Sequence, residues 1–280
     1  MASKRKTTSR TTDRIAILGG GNIGRAMASG FASVGGFKPD RIYLTRRQAK
    51  ELGSFARRGF RVTADNAEAV TNSSTIILAV RPGQLLGLLD GIRESLDPKR
   101  HILMSTVTGV SISDIARHLD STAPIVRVMP NTSVAIGESM TCLAANGRSG
   151  RALGAAGTLF DRVGHTLVIS EEQMTPATAL CACGIAFFLR AIRAASQGGI
   201  EIGFHADEAL TMAAQTARGA ASLLLDGTGH PESEIDKVTT PRGCTIAGLN
   251  RMEHEGFSSA MIKGLVTSTE MAASLFKSDK

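Results

Sequence analysis

Gly19-Gly20-Gly21-Asn22-Ile23-Gly24 has the spacing G-x-G-x-x-G. The spacing alone is common. Here it follows an apolar run, Arg14-Ile15-Ala16-Ile17-Leu18, and leads into small and apolar residues at helical intervals (Ile23, Ala26, Met27, Gly30, Phe31). A strand, a glycine turn and a helix in that order form the unit that binds a dinucleotide pyrophosphate. Gly19 serves the tight turn, Gly21 lets backbone approach the phosphates, and Gly24 lets helix and strand touch. Asn22 and Ile23 open the helix, whose free N–H groups and positive dipole end face an anion.

The next strand decides which dinucleotide. Sites for the 2′-hydroxyl form carry a carboxylate near its end. This one ends Leu44-Thr45-Arg46-Arg47. Thr45 can donate a hydrogen bond, and two guanidiniums can clamp a 2′-phosphate. The expectation is NADPH, with NADH as the second choice. Asn66 follows the third strand, and Ala79-Val80-Arg81-Pro82 follows the fourth. Both places are carboxyl ends of strands, where such sheets bind ligands. Asn66 can bond ribose or adenine. Arg81 can reach a phosphate or lie solvated.

A second cluster is Thr239-Thr240-Pro241-Arg242-Gly243-Cys244-Thr245, just before a helical stretch. A threonine there can cap the helix. Alternatively, the free N–H groups hold a carboxylate and the hydroxyl faces a ligand. The residues alone leave both open, with plain capping the more economical. The four cysteines (142, 181, 183, 244) do not make a disulfide framework in a chain this long, and C-x₂-C spacing is absent. Cys181, Cys183 and Cys244 read as small reduced residues, with no metal expected. His165, His205 and His254 have no catalytic neighbour in sequence.

Alternating strands and helices must position these groups. Strands are expected at 14–18, 41–45, 60–62, 75–80, 101–105 and 125–129, with helices at 22–34, 48–58, 67–71, 82–96 and 112–119. That pattern predicts a parallel, doubly wound Rossmann-type sheet. Further strands are expected at 140–145 and 167–170. Beyond Ser170 only helices are expected, at 174–197, 206–225, 245–255 and 256–276. The fold class is therefore α/β, with an all-α domain after the Rossmann-type one. The expected division is a basic disordered tail at 1–13, a dinucleotide domain at 14–170 and a helical domain at 171–280. Of the net charge of +7, part sits in the first fourteen residues, where Lys4, Arg5, Lys6, Arg10 and Arg14 face only Asp13. The remaining basic excess is dispersed and suits an anionic small molecule rather than a nucleic-acid groove. No secretory signal and no run near ~18 apolar residues stand out, so a cytoplasmic protein that makes no membrane contact is expected.

From Arg14 to Phe276 the chain resembles the pyrroline-5-carboxylate reductases. Motifs shared with other dehydrogenases carry part of this: 17–24, Asp65-Asn66-Ala67-Glu68 and Leu78-Ala79-Val80-Arg81-Pro82. The specific ones are Arg127-Val128-Met129-Pro130-Asn131-Thr132 and Thr239-Thr240-Pro241-Arg242-Gly243-Cys244-Thr245-Ile246. The resemblance implies reduction of the cyclic imine 1-pyrroline-5-carboxylate to proline. It implies that Thr245 hydrogen-bonds the ring nitrogen and that backbone N–H groups from Gly243 through Cys244 to Thr245 hold the carboxylate. Thr240 matches a hydroxyl residue of the same loop. It further implies a homodimer with interlocked second domains, which can assemble further. The chain departs from the family's usual pattern at Arg242 (for glycine), at Cys181–Ile185 (for the start of Ser-Gly-Ser-Gly-Pro-Ala) and at Ser133 (for proline). These departures point to two alternatives, a reductase of a related cyclic imine and a regulatory NADP(H)-binding paralogue. A β-hydroxyacid dehydrogenase would carry a catalytic lysine after the linker, and no lysine occurs between Lys99 and Lys237.

Overall fold

The computed structural model describes residues 14–147, 149–227 and 229–275. The basic tail expected at 1–13 lies outside the described residues. The chain forms two compact units. One comprises residues up to Ala182 together with those from Thr269 onward; the other is Cys183–Ser268. The first unit therefore carries on past the division drawn at Glu171 and includes the start of the long helix.

The first unit is built on β1 (Ile15–Leu18), α1 (Asn22–Ser33), β2 (Ile42–Thr45), α2 (Gly53–Arg57), β3 (Arg61–Thr63), α3 (Asn66–Thr71), β4 (Thr75–Leu78), α4 (Leu85–Ile92), β5 (Ile102–Ser105), α5 (Ile112–Leu119), β6 (Ile125–Met129), β7 (Ser139–Ala145), α6 (Gly150–Phe160) and β8 (Gly164–Val168). The strands form one sheet in the order β3-β2-β1-β4-β5-β6-β7-β8. Strand β1 lies between β2 and β4, with Ile15 beside both Ile42 and Thr75. Consecutive connections run to opposite sides of β1, so its carboxyl end opens a crevice at the switch of strand order. All four β1 residues are buried. Ile15 and Ile17 join Met27, Phe31 and Leu44 on one face, while Ala16 and Leu18 join Ile76, Leu78 and Leu85 on the other. A strand covered on both faces must read as a continuous apolar run.

The sheet is not parallel throughout. β7 runs antiparallel to β6, and β8 is parallel to β7. The 130–138 connection holds only a short 3₁₀ turn, Thr132–Ile136. A parallel return needs a crossover of a dozen residues or more. Two expected helices are also broken. Residues 48–58 form a 3₁₀ turn (Ala49–Leu52) and then α2, and 82–96 form α4 flanked by 3₁₀ turns.

A helical run then continues through α7 (Met174–Ala177), a π segment (Thr178–Cys183) and α8 (Gly184–Glu201). By length and composition, Glu171–Glu201 could cross a bilayer, with a window of mean hydropathy 1.6. The expectation that no apolar run approaches ~18 residues stands beside this, because Thr175, Thr178 and Arg190 interrupt the stretch. Alanine and cysteine between the larger apolar residues raise mean hydropathy without forming an obvious aliphatic run. In the second unit, α8 packs on α9 (Ala206–Asp226), where Gly199 meets Ala209. There follow α10 (Pro231–Lys237), α11 (Cys244–His254) and α12 (Phe257–Ser274), the last of which ends in the first unit. Helix α10 was not expected, because it is too short to show apolar periodicity. Its signals are Pro231 in the first turn, Glu232 and Glu234 after it, and Lys237 at the end.

Helix α1 crosses the 3₁₀ turn at 132–136 at Gly30. A Cβ on Gly30 would lie 1.9 Å from the Val134 carbonyl oxygen. Gly30→Ala should lower stability by about 2–3 kcal/mol through overpacking. Gly154→Ala in α6, where nothing lies within 4 Å of the new Cβ, should raise it by about 0.5–1 kcal/mol. Urea midpoints of the two variants should move in opposite directions.

Candidate functional site: a dinucleotide cavity and an open helix terminus

At the end of β1 the chain turns through Gly19 at φ +123°. A Cβ there would stand 2.3 Å from the Ala79 carbonyl oxygen, and one on Gly24 would stand 1.9 Å from the Gly19 carbonyl oxygen. Both positions exclude any side chain. A Cβ on Gly21 would meet nothing within 4 Å. Gly21 is also the N-cap of α1, supplies no side-chain cap, and is followed by no acid in the first turn. The first N–H groups of α1 are therefore left to an anion.

Beside the turn lies a cavity of about 930 Å³. Of the residues expected to hold a dinucleotide, Gly19, Gly21, Thr45, Arg46, Arg47, Asn66, Ala79, Val80 and Arg81 line it. Asn22, Ile23, Gly24 and Pro82 do not. Gly24 is buried against Gly19, Ile23 packs on the core, and Pro82 starts a 3₁₀ turn. The sequence reading missed Gly20, Gln48, Glu51, Gly83, Gln84, Gly87 and Leu88. The spacing of Gly83 and Gly87 was the available signal, since glycines at i and i+4 bare one side of a helix start. The volume, the exclusion of side chains at Gly19 and Gly24, and the open space above Gly21 fit a dinucleotide.

The polar groups are held differently from expectation. Thr45 Oγ1 donates to Asn66 Oδ1 at 2.6 Å, so its proton is committed within the protein rather than offered to a ribose. The pairing points Asn66 across the gap from β2 to the start of α3. Asp65 caps α3 by accepting from the Glu68 N–H. Arg46 is also committed. Its Nη1 donates to the Gly20 carbonyl at 2.9 Å and its Nη2 lies 2.5 Å from Glu51 Oε2. Arg25 donates to the same Gly20 carbonyl at 3.0 Å and to the Glu51 carbonyl at 3.1 Å. Among the described residues, Arg47 meets no hydrogen-bond or ion-pair partner, and it is exposed. It is the guanidinium available to a 2′-phosphate.

In the second unit, the loop before α11 is a turn in which the Gly243 N–H donates to the Thr240 carbonyl at 2.9 Å. A Cβ on Gly243 would lie 2.5 Å from Thr240 Oγ1. Gly243 is the N-cap of α11, with no side-chain cap and no acid in the first turn. The capping alternative is thereby corrected, because Thr245 sits inside the first turn, one residue past Cys244. Arg242 has φ +58°. It keeps the left-handed conformation that glycine adopts freely, at the strain cost of a side chain.

The cysteines pair unexpectedly. Cys181 Sγ lies 3.9 Å from Cys142 Sγ, in the first unit. The hydrogen bond from the buried Cys142 thiol holds the Cys181 thiol down to about 7, and Cys142 is pushed up in turn, by that bond and by burial. The Cys181 carbonyl, within the π segment, accepts from Asn131 Nδ2 at 3.2 Å, while Asn131 Oδ1 accepts from the Ser133 N–H at 3.0 Å. That last bond uses an N–H that a proline at 133 would lack. Among the described residues, no group of three His, Cys, Asp or Glu has the arrangement to hold a metal.

The model for pyrroline-5-carboxylate reductase dimerisation matches residues 171–275, and that for coenzyme F420-dependent NADP oxidoreductase matches 14–109. Pyrroline-5-carboxylate reductase 1 of Dictyostelium discoideum is 54% identical over 274 residues, covering 94% of this chain and 50% of that protein. The chain thus spans about half the length of that relative. Pyrroline-5-carboxylate reductase 2 of the same organism is 47% identical over 283 residues, covering 95% of this chain and 94% of the relative. The crystal structure of Plasmodium falciparum pyrroline carboxylate reductase with NADP bound has the same fold, with a TM-score of 0.85 at 22% identity, over 94% of this chain and 98% of that one.

The unequal settings of the two arginines can be measured. Arg47→Ala should weaken NADPH about tenfold relative to NADH, whereas Arg46→Ala should weaken both nearly alike; direct titration of each dinucleotide decides. Arg242→Gly should raise stability by about 0.5 kcal/mol, the relief of left-handed strain less the added chain entropy, read as a shift in urea midpoint.

Proposed function

The chain belongs to the pyrroline-5-carboxylate reductase family, and from that premise we propose that it reduces 1-pyrroline-5-carboxylate to L-proline with NADPH. The observation that carries the reading is the uncapped start of α11, with Thr245 in its first turn and Gly243 at its cap. Such a terminus is a receptor for a small carboxylate. The first unit holds a cavity of dinucleotide size lined by Gly19, Gly21 and Arg47.

In this reading the N–H groups of Cys244 and Thr245 hold the substrate carboxylate; the Gly243 N–H, expected to join them, is spent on the Thr240 carbonyl at 2.9 Å and braces the loop instead. The Thr245 hydroxyl hydrogen-bonds the imine nitrogen and favours its protonated form, which makes the imine carbon more electrophilic. In the other unit, Asn66, Arg47 and the α1 N-terminus position the dinucleotide. When bound, the reduced nicotinamide supplies a hydride to that carbon. The nitrogen takes its proton from solvent before the hydride arrives, the C=N π electrons become the nitrogen lone pair, and the product is a secondary amine.

We further propose a homodimer with interlocked second domains. Phe188 and Leu189 in α8, Leu223 and Leu225 in α9, and Ile262 and Val266 in α12 are exposed in the single chain. So much apolar surface on one helical unit is the mark of a subunit interface. It also offers a purpose for the apolar run at 171–201 that needs no membrane. The four free cysteines fit a reducing compartment, and cytoplasm is the proposed location.

Purified protein should oxidise NADPH when given pyrroline-5-carboxylate, followed by loss of absorbance at the reduced nicotinamide band. Thr245→Ala should lower kcat by about 10²-fold or more and leave NADPH binding within about twofold. Cofactor binding without turnover by the unaltered protein, across several cyclic imines, would support a regulatory role instead.

A further inference from the structure

The cavity carries a carboxylate that the end of β2 lacks. Glu51 stands six residues beyond Thr45, on the 3₁₀ turn before α2, and lines the same cavity as Arg46 and Arg47. Its Oε2 is 2.5 Å from Arg46 Nη2 and 4.0 Å from Arg25 Nη2. Both arginines also donate to the Gly20 carbonyl, at 2.9 and 3.0 Å. The Gly20 N–H donates to the Thr45 carbonyl at 2.6 Å. The dinucleotide turn and the end of β2 are thus bound together by one network of two cations, one anion and the backbone groups of Gly20 and Thr45.

The two arginines after β2 are therefore not equivalent. Arg47 is unpaired among the described residues. Arg46 also lines the cavity, but its guanidinium is occupied, with one nitrogen on the Gly20 carbonyl and another on the Glu51 carboxylate. The Glu51 charge cancels much of what Arg46 would add to the field in the cavity. The ligand that benefits least from this is one with a 2′-phosphate. One with a 2′-hydroxyl loses almost nothing, since it brings no charge to the spot.

We propose that Glu51 is a specificity-determining residue, which limits discrimination between 2′-phosphorylated and 2′-hydroxyl nicotinamide dinucleotides by holding Arg46 out of the phosphate site. The inference rests on the dinucleotide reading of the cavity, not on the identity of the imine. Its carboxylate works through Arg46 and is not itself a ligand of the ribose. That separates it from the acid at the end of β2 in NAD-selective sheets, which bonds the 2′-hydroxyl directly. The side chains of both partners are about one-third to two-fifths exposed, so the pair can open without unfolding its surroundings.

The experiment measures dissociation constants of NADPH and NADH by fluorescence titration, without imine, in about 0.1 M salt. Four proteins are compared: unaltered, Glu51→Gln, Arg46→Ala and the double variant. Glu51→Gln should raise the preference for NADPH by about tenfold, through a new charge-assisted bond from Arg46. The gain should vanish when Arg46 is alanine, so the double-mutant cycle shows coupling for NADPH and almost none for NADH. An equal gain in the Arg46→Ala background would overturn the proposal in favour of direct repulsion by Glu51. So would an unchanged preference, or equal weakening of both dinucleotides, which marks a purely structural role. If the unaltered protein binds neither dinucleotide, the reading of the cavity falls and the proposal with it. If it binds both but reduces no cyclic imine, only the proposed reaction falls.

Discussion

The Gly19 carbonyl and the Cα of Gly24 touch with no room between them for a methyl group. This backbone contact sets the angle at which α1 leaves β1. It brings the N-terminus of α1 to the carboxyl edge of the sheet, where the strand order switches between β2 and β4. Ala79 seals the other side of Gly19. A side chain at either glycine would push helix and strand apart and close the space in which a pyrophosphate meets free N–H groups. The cavity is a consequence of that contact, and every polar group around it is placed relative to the turn.

Around this contact the protein arranges charge with economy. The Gly20 carbonyl accepts from two guanidiniums, and Glu51 offsets them. Isolated ion pairs at partly exposed sites contribute little to stability. Here the value of the pairing is geometric, because it holds the turn against the end of β2. It also divides the work between two adjacent arginines. One secures the backbone, and the other stays available to a ligand. Thr45 and Asn66 repeat the pattern with neutral groups, one hydrogen bond linking β2 to the start of α3.

The second unit follows a different logic. Its helices α8 and α9 bury few residues within one chain, namely Gly184, Ser196 and Ala209. Small residues at those points let α8 and α9 approach closely, as Gly199 against Ala209 illustrates. The larger apolar residues face outward. The loop before α11 shows how a departure from a family pattern is absorbed. Arg242 takes the left-handed conformation in place of glycine, and the Thr240–Gly243 turn remains closed. At 133, serine in place of proline brings an N–H, and Asn131 accepts its hydrogen bond.

Much of this was legible in the chain itself. The glycine turn, six strands with their helices, the helical second half and nine of the sixteen residues that line the cavity follow from local rules. Buried strands must be apolar on both faces, and only glycine allows backbone to meet backbone. The α11 loop was legible from its crowding of glycine, proline and hydroxyls. What the residues alone left open depended on partners distant in sequence. Arg46 and Arg47 are adjacent and alike in type, yet the 3₁₀ turn at 49–52 brings Glu51 to one and not the other. Thr45 and Asn66 meet only because β2 and α3 come together, and Cys142 on β7 meets Cys181 of the π segment 39 residues later. The reversal at β7 was set by the length of one connection. Periodicity and backbone sterics act over a few residues and leave a pattern in the sequence. Charge pairing acts through space between side chains of many possible positions, so only the folded chain decides which of two equal arginines remains free.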